Sequence, residues 1–299
     1  MTTTPDVFST DRPLLFSIAY RMLGSASDAE DVLQDAWLRY RGVDPSTVRT
    51  PKALATTIVT RLCLDRLKSA RHTREEYVGP WLPEPVLTGE TADPETTLAR
   101  AESVTLAFLV LLETLTPEER AVFLLKDVFE YGHADIAAML DTTAENSRQL
   151  LHRAKEKLAQ GRPQPVASPE SRKAVAERFA HALVAGDGTA LTTLLAADVG
   201  MWSDGGGKAI AARRPLLGRD EVLRFLVGLH RTAVTSGRMG EMSLDLDEVN
   251  VEPALILRLA GHLESIFVLE IAGDTITGIR VVRNPDKLAH IDRQLTRLH

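Results

Sequence analysis

The chain has 299 residues, 44% of them hydrophobic and 25% charged, and its 35 Lys and Arg against 41 Asp and Glu leave a formal net charge of -6. That length suggests two domains, or three small ones, in a soluble globular protein. The negative balance argues against a protein that coats nucleic acid indiscriminately, without excluding local basic faces; no segment has the apolar length to span a bilayer.

The start, Met1-Thr2-Thr3-Thr4-Pro5, lacks the basic and apolar parts of a secretory signal, so a cytoplasmic protein is expected. Ser27 and Glu30 have the spacing of a capping box and predict a helix start. Beyond them Ala29, Val32, Leu33, Ala36, Trp37 and Tyr40 recur on one face, whereas Asp28, Asp31, Gln34 and Asp35 fall together on another. Taken alone, such an acidic face is ordinarily just solvated. Pro45 and Pro51 then bracket a loop, and a second helix follows with Leu54, Ile58 and Leu62 as its apolar row. Arg61, Arg66, Lys68, Arg71 and Arg74 thicken the positive charge towards its end. Cys63 is the only cysteine and reads as packed core, which leaves neither a disulfide framework nor a thiolate zinc site. The histidines are scattered without metal-ligand spacing, so neither a metal nor a cofactor is expected.

Tyr77 to Pro85 holds three prolines in six residues and, with the polar, acidic Thr88 to Glu95, reads as a linker over 77–100. Trp81 and Leu82 are costly to expose, so some surface is expected to cover them. Thr116-Pro117-Glu118-Glu119 is a capping box with Pro at the first helical position. It predicts a helix over Glu118 to Phe129, then a short helix from His133 to Leu140, the turn Asp141-Thr142-Thr143, and a longer helix from Ala144 to Ala159. Two helices across a tight turn, the second carrying Arg148, His152, Arg153, Lys155 and Lys157, make a helix-turn-helix. An α-helix fits the major groove, its first turn reaches base edges, and later cations neutralise phosphate. A further linker, 161–169, leads to a helix begun by Ser168-Pro169, with Val175, Phe179 and Leu183 on one face, and stopped by Gly186-Asp187-Gly188. A helix over Asp220 to Leu229 and strands near Met242–Asn250, Ala254–Leu259, Leu263–Ile271 and Thr275–Arg283 complete an α+β unit. Gly205-Gly206-Gly207-Lys208 lacks P-loop spacing.

The acidic helix, preceded by Leu14 to Gly24, resembles the second region of bacterial extracytoplasmic-function (ECF) sigma factors, and the helix-turn-helix resembles their region 4. The tail resembles the SnoaL-like branch of the NTF2-like cone fold, and the whole resembles the SigJ-like group of that family. Three patches carry this last likeness: Trp81-Leu82-Pro83-Glu84-Pro85, Asp204-Gly205-Gly206-Gly207-Lys208 and Asn284-Pro285-Asp286-Lys287-Leu288. The resemblance implies a multidomain chain, with two all-α sigma domains at 8–76 and 101–160 followed by an α+β NTF2-like cone domain at 170–299. It implies an alternative sigma factor, not an enzyme, whose fused domain modulates its activity.

Its expected partners are core RNA polymerase, through the clamp helices of the largest subunit and the flap of the second-largest, and promoter DNA. The resemblance places polymerase contacts at Asp28, Asp31, Gln34, Asp35 and Leu38. Minus-ten contacts fall at Arg49, Arg61, Arg66, Lys68, Arg71 and Arg74, although Ala53-Leu54-Ala55 stands where an aromatic residue is frequent. Minus-thirty-five contacts fall at Thr143, Glu145, Asn146, Arg148, Gln149, His152, Arg153 and Lys155. Leu150 replaces a frequent Arg and Asn146-Ser147 a small apolar pair, which implies modest affinity for isolated duplex and looser packing. The three patches carry the regulatory role, with the tail gripping the Trp81 linker. One alternative is a helix-turn-helix regulator fused to a small-molecule-binding or cyclase/isomerase-like domain, with Asp204, His181 and His230 as candidates for proton transfer. A pocket that senses a small ligand is equally compatible.

Overall fold

The computed structural model describes residues 7–75, 77–89, 104–159 and 168–296, without the side chains of residues 7, 9, 45 and 70–75. The chain divides into two compact units, residues 1–76 with 92–162, and residues 77–91 with 163–299.

The first unit begins with α1 (Val7–Thr10), α2 (Arg12–Leu23) and α3 (Ala26–Arg41), continues into the long α4 (Pro51–Glu75), and adds α5 (Leu106–Leu112), α6 (Pro117–Phe123), α7 (His133–Leu140) and α8 (Ala144–Leu158). The start of α3 differs from the Ser27 capping box. Ser25 has the extended backbone of an N-cap and its Oγ accepts from Asp28 N–H at 3.0 Å, which places Ser27 inside the first turn. Ala29, Val32, Leu33 and Ala36 are buried as the periodicity predicts. Of the expected row on α4, Leu62 is buried whereas Leu54 and Ile58 are only half-buried; the chain also buries Ala55, Val59, Cys63 and Leu67, a row set one residue further round. Burial pushes the Cys63 thiol well above its ordinary value, as expected of packed core.

The capping box at Thr116 and Glu119 forms as expected. The predicted helix to Phe129 does not stay α-helical: Leu124–Val128 widens into a π turn that ends at Glu130, whose φ is +60°. Regions expected as separate globular units share one packed body. Arg61 Nε donates to Met139 O at 2.8 Å, Arg120 Nη1 donates to Met22 O at 2.7 Å, and the Thr56 and Tyr131 hydroxyls lie 3.1 Å apart. Arg21 is buried with its guanidinium 5.6 Å from the Phe129 ring centre, and burial lowers its pKa to about 10.

The second unit contains α9 (Pro169–Ala185), α10 (Gly188–Leu194), β1 (Leu195–Asp204), β2 (Leu216–Leu217), α11 (Arg219–Thr235), β3 (Met242–Val249), β4 (Glu252–Leu259), β5 (His262–Ala272), β6 (Thr275–Val282) and α12 (Pro285–Thr296). The four expected strands are β3 to β6 and pair as an antiparallel meander, and the sheet order is β2-β1-β6-β5-β4-β3, with β1 parallel to β6. Neither β1 nor α10 was legible in the sequence pattern. Alternation along the strands sends Met201, Leu255, Phe267, Leu269, Ile279 and Val281 into a core with Val175, Phe179, Leu191, Val222 and Leu226 of α9 to α11. The opposite face, carrying Ala254, Ile256, Ile266, Val268 and Val282, is also buried, and α12 packs there against β5.

Candidate functional site: an acidic face, a cationic helix and a clasped strap

The acidic face of α3 survives folding as an exposed feature. Asp28, Asp31, Gln34, Asp35 and Leu38 are all exposed, and Leu38 at 57% is a large apolar side chain at the end of a charged row. Among the described residues one cation meets this row. Arg66 Nη1 donates to Asp28 Oδ1 and to Asp28 O, each at 3.0 Å, and lies 3.7 Å from Asp31 Oδ2, while Nη2 lies 3.6 Å from Asp35 Oδ2.

The residues expected at minus-ten DNA are therefore not one surface. Arg49 is exposed, Lys68 pairs with Glu118 at 3.2 Å, Arg61 is held by the last-turn carbonyls of α7, and Arg66 faces α3. The side chains of Arg71 and Arg74 lie outside the described residues.

In the helix-turn-helix, Asp141 takes left-handed geometry at φ +54° to close α7, and Thr143 caps α8 by accepting from Asn146 N–H at 3.0 Å. Looser packing at Ser147 is not what forms. Ser147 is buried, and its hydroxyl lies 2.9 Å from Nδ1 of His133, so a hydrogen bond occupies the place of an apolar pair. Burial, with Lys126 and Arg148 nearby, lowers the His133 pKa. Ser147 and Ala154 face inward, leaving Glu145, Arg148, Gln149, His152, Arg153 and Lys155 exposed. Lys155 is paired with Asp127 at 2.8 Å and His152 lies 3.4 Å from Glu156.

The second unit explains its three sequence patches by bringing them together. Asp204 ends β1 and is fully buried. Its Oδ1 accepts from the Tyr77 hydroxyl at 2.5 Å; its Oδ2 accepts from Leu82 N–H at 2.8 Å and from Lys287 Nζ at 2.7 Å. Lys287 also donates to Leu82 O at 2.5 Å and lies 4.3 Å from the Trp81 ring centre and 4.7 Å from that of Tyr77. Burial, then the bond to Asp204, pushes the Tyr77 hydroxyl pKa up. Gly205 and Gly206 are required by contact: a Cβ on Gly205 would lie 2.3 Å from Ala209 O, and one on Gly206, at φ +57°, 2.2 Å from Asn284 Nδ2. Lys208 pairs with Asp286 at 2.5 Å, Asn284 Oδ1 accepts from Asp286 N–H at 3.1 Å to start α12, and Leu288 is buried beneath it.

Residues 77–89, expected as a linker, are thus a strap built into this unit. Leu82 is buried and Trp81 half-buried, which meets the expectation of a covering surface. The strap continues beyond any local signal in the residues. Val86 N–H donates to Asn250 Oδ1 at 3.1 Å, Asn250 N–H to Val86 O at 3.0 Å, Thr88 N–H to Glu248 O at 3.0 Å, and Leu87 N–H to Gln294 Oε1 at 3.2 Å. Asn250 and Gln294 escaped notice; the available signal was an Asn in a two-residue hairpin turn, where its φ of +53° is tolerated.

The acid–base candidates do not converge. Asp204 is spent on the strap, His181 is exposed, and His230 borders a separate cavity of about 260 Å³ with Leu183, Leu229, Met242, Leu257 and Phe267. Among the described residues no group of three acidic, His or Cys side chains could hold a metal, and no helix is long and apolar enough to cross a membrane.

Known proteins share this architecture. The Sigma-70 region 2 family pattern matches residues 7–73 and that of Sigma-70 region 4 matches residues 105–158. The chain is 35% identical over 298 residues to the ECF RNA polymerase sigma factor SigJ of Mycobacterium tuberculosis, covering 94% of this chain and 91% of that one. It is 30% identical to SigG of the same species, covering 89% and 77%. The crystal structure of M. tuberculosis SigJ superposes with a TM-score of 0.77 at 34% identity, covering 94% of this chain and 97% of that one. With helical sigma regions preceding a sheet-containing domain of the same kind, this chain belongs to the extracytoplasmic-function family of RNA polymerase sigma factors.

Proposed function

We propose that this sigma factor docks on core RNA polymerase through the acidic face of α3, reads the minus-thirty-five element with α8 and the minus-ten element with α4 and its preceding loop, and is modulated by its own C-terminal domain. The observation that carries the reading is the exposed row Asp28, Asp31, Gln34, Asp35 and Leu38 on a helix whose other face buries Ala29, Val32, Leu33 and Ala36. Sigma factors bind core polymerase and promoter DNA and are not an enzyme class. A row of carboxylates meets a basic helical partner by charge complementarity, which sets orientation and speeds encounter, and Leu38 supplies apolar contact at its end. The clamp helices of the largest subunit are the partner of that chemistry, and the flap of the second-largest subunit receives region 4.

Initiation on this reading is strand separation by binding: contacts available only to unpaired bases offset the unstacking cost of a few kcal/mol. Arg61 can join them through the guanidinium N–H groups that the α7 carbonyls leave free. The tail acts by holding residues 77–89, which fixes how much free chain remains between regions 2 and 4; a tethered grip is effective even when intrinsically weak. Run-off transcription with purified core polymerase tests both parts. Promoter-dependent transcript is expected from the full chain and an altered level from Asp204→Asn. No transcript from any promoter of a library overturns the first part, and an unchanged level in Asp204→Asn overturns the second. The cyclase-like reading is not favoured, because Asp204 is committed to the strap and no described carboxylate borders the His230 cavity.

A further inference from the structure

We infer that Arg66 is a positioning residue of the polymerase-docking face rather than a minus-ten DNA contact; this rests on the docking reading of α3. Arg66 lies five residues after Arg61, so the two point about 140° apart around α4 and cannot serve one DNA surface. Arg61 and Lys68, seven residues apart, share the other side. The guanidinium of Arg66 instead sits among three carboxylates of one row, at positions i, i+3 and i+7 of α3.

Those carboxylates repel one another, and Asp31 and Asp35, a full turn apart, form a like-charge pair that destabilises a helix. A fork of donors suits the task better than a point charge. Nη1 ties both the side chain and the carbonyl of Asp28 at 3.0 Å, while Nη2 is turned towards Asp35. With its side chain only 30% exposed, Arg66 is shielded more than the carboxylates it serves, which are 53–67% exposed. The carboxylates keep outward oxygens for a partner, and their rotamers are narrowed before the partner arrives, which lowers the ordering cost of binding. Among the described side chains, three acids against one cation leave the row at a net charge of -2, still attractive to a basic helix.

The test compares the full chain with Arg66→Gln and Arg66→Lys. Core-polymerase affinity of Arg66→Gln is expected to fall about three- to tenfold, the range open to a pre-organised network of surface charges. The loss should lie in faster dissociation, because the row is then at -3 and long-range attraction at low salt is undiminished. Arg66→Lys should restore part of the affinity. Preformed holoenzyme carrying Arg66→Gln, at saturating core, should bind a forked minus-ten promoter as the wild type does. Unchanged core affinity, or a defect confined to promoter binding by preformed holoenzyme, overturns the inference. If Arg66→Gln melts early, Arg66→Lys carries the test: lowered core affinity at an unchanged melting temperature supports it, and wild-type affinity overturns it. Charge reversal at Asp31 and Asp35 separates the two levels. If that reversal abolishes core binding and Arg66→Gln does not alter it, only the role of Arg66 falls; if binding survives the reversal, the docking reading falls as well.

Discussion

Both units set a basic side chain against carboxylates, and the two arrangements do opposite work. On α3 three exposed aspartates share one half-covered arginine at 3.0–3.7 Å. At the strap one fully buried aspartate meets a lysine that is 8% exposed, at 2.7 Å, and both partners bond further to the strap, at Tyr77 and at the backbone of Leu82. Exposed pairs contribute about 0–1 kcal/mol and are screened by salt. A buried pair cannot be half removed, because the survivor is left charged without solvent. The first arrangement suits a surface that must exchange partners, and the second suits a joint that has to hold a chosen segment of chain.

The largest expected effect follows from that asymmetry. Lys287→Met should destabilise the second unit by about 3–5 kcal/mol by stranding Asp204, and expose the strap to proteolysis within 77–89. The double change Asp204→Asn, Lys287→Met should recover part of the loss, because no isolated charge remains. Calorimetry with limited proteolysis reads both, and equal melting of single and double variants would break the contrast. On α3 the reversal Asp31→Lys, Asp35→Lys should leave the melt within about 0.5 kcal/mol of wild type, as surface changes do. Its core-polymerase affinity should nevertheless drop by at least about tenfold, as like charges meet at the docking face.

A smaller effect concerns pH in the second unit alone. Glu252 on β4 is buried beside Glu270 of β5, and burial, then that neighbouring carboxylate, raises its pKa from 4.5 to about 8. Arg280 is committed to Glu270 at 2.6 Å and to the Trp202 ring at 4.6 Å, while Arg172 of α9 is the other cation near Glu252. The folded form holds a proton that the unfolded form releases near 4.5. Stability is therefore fully present below that value and is lost as pH rises through about 8. Glu252→Gln should flatten this slope in melts of the second unit, while the first unit's transition keeps its own pH dependence. A slope unchanged in the variant rules out Glu252 as its source.

Local signals were legible and long-range ones were not. The Thr116 cap, the Asp141 turn, the buried side of α3 and the bounds of α7 follow from neighbours within a few residues, and so did the need to cover Trp81. By contrast β1, Leu195–Asp204, has no alternating pattern, because Ala197 and Asp198 are exposed together and the strand is then buried or half-buried on both faces from Val199 to Asp204. The Gly at 188 reads as a stop but begins α10 behind the Asp187 cap. Several of the contacts joining regions 2 and 4, such as Arg61 on Met139 O and Arg120 on Met22 O, are side chains on backbone carbonyls and leave no trace in residue identity. The same holds for Arg66: its charge marks it as a DNA contact, and only the crossing of α4 over α3 shows that its partners are acidic.

The smallest predicted effect sharpens the distinction between engaged and available charge on the recognition helix. Arg148 and Arg153 are exposed and have no acidic partner among the described residues, whereas Lys155 is held by Asp127 at 2.8 Å. Each phosphate contact made by a cation contributes about one counterion to the salt dependence of binding. Arg148→Ala and Arg153→Ala should each lower the slope of log affinity against log salt by about one for promoter duplex, measured with the holoenzyme. Lys155→Ala should lower it by less, because its ammonium must first leave Asp127, and Asp127→Asn should restore to Lys155 the contribution of a free cation. Equal slopes for all three alanine variants would mean that the Asp127 pair dissolves on contact with DNA, and that availability in the free protein does not set the phosphate count.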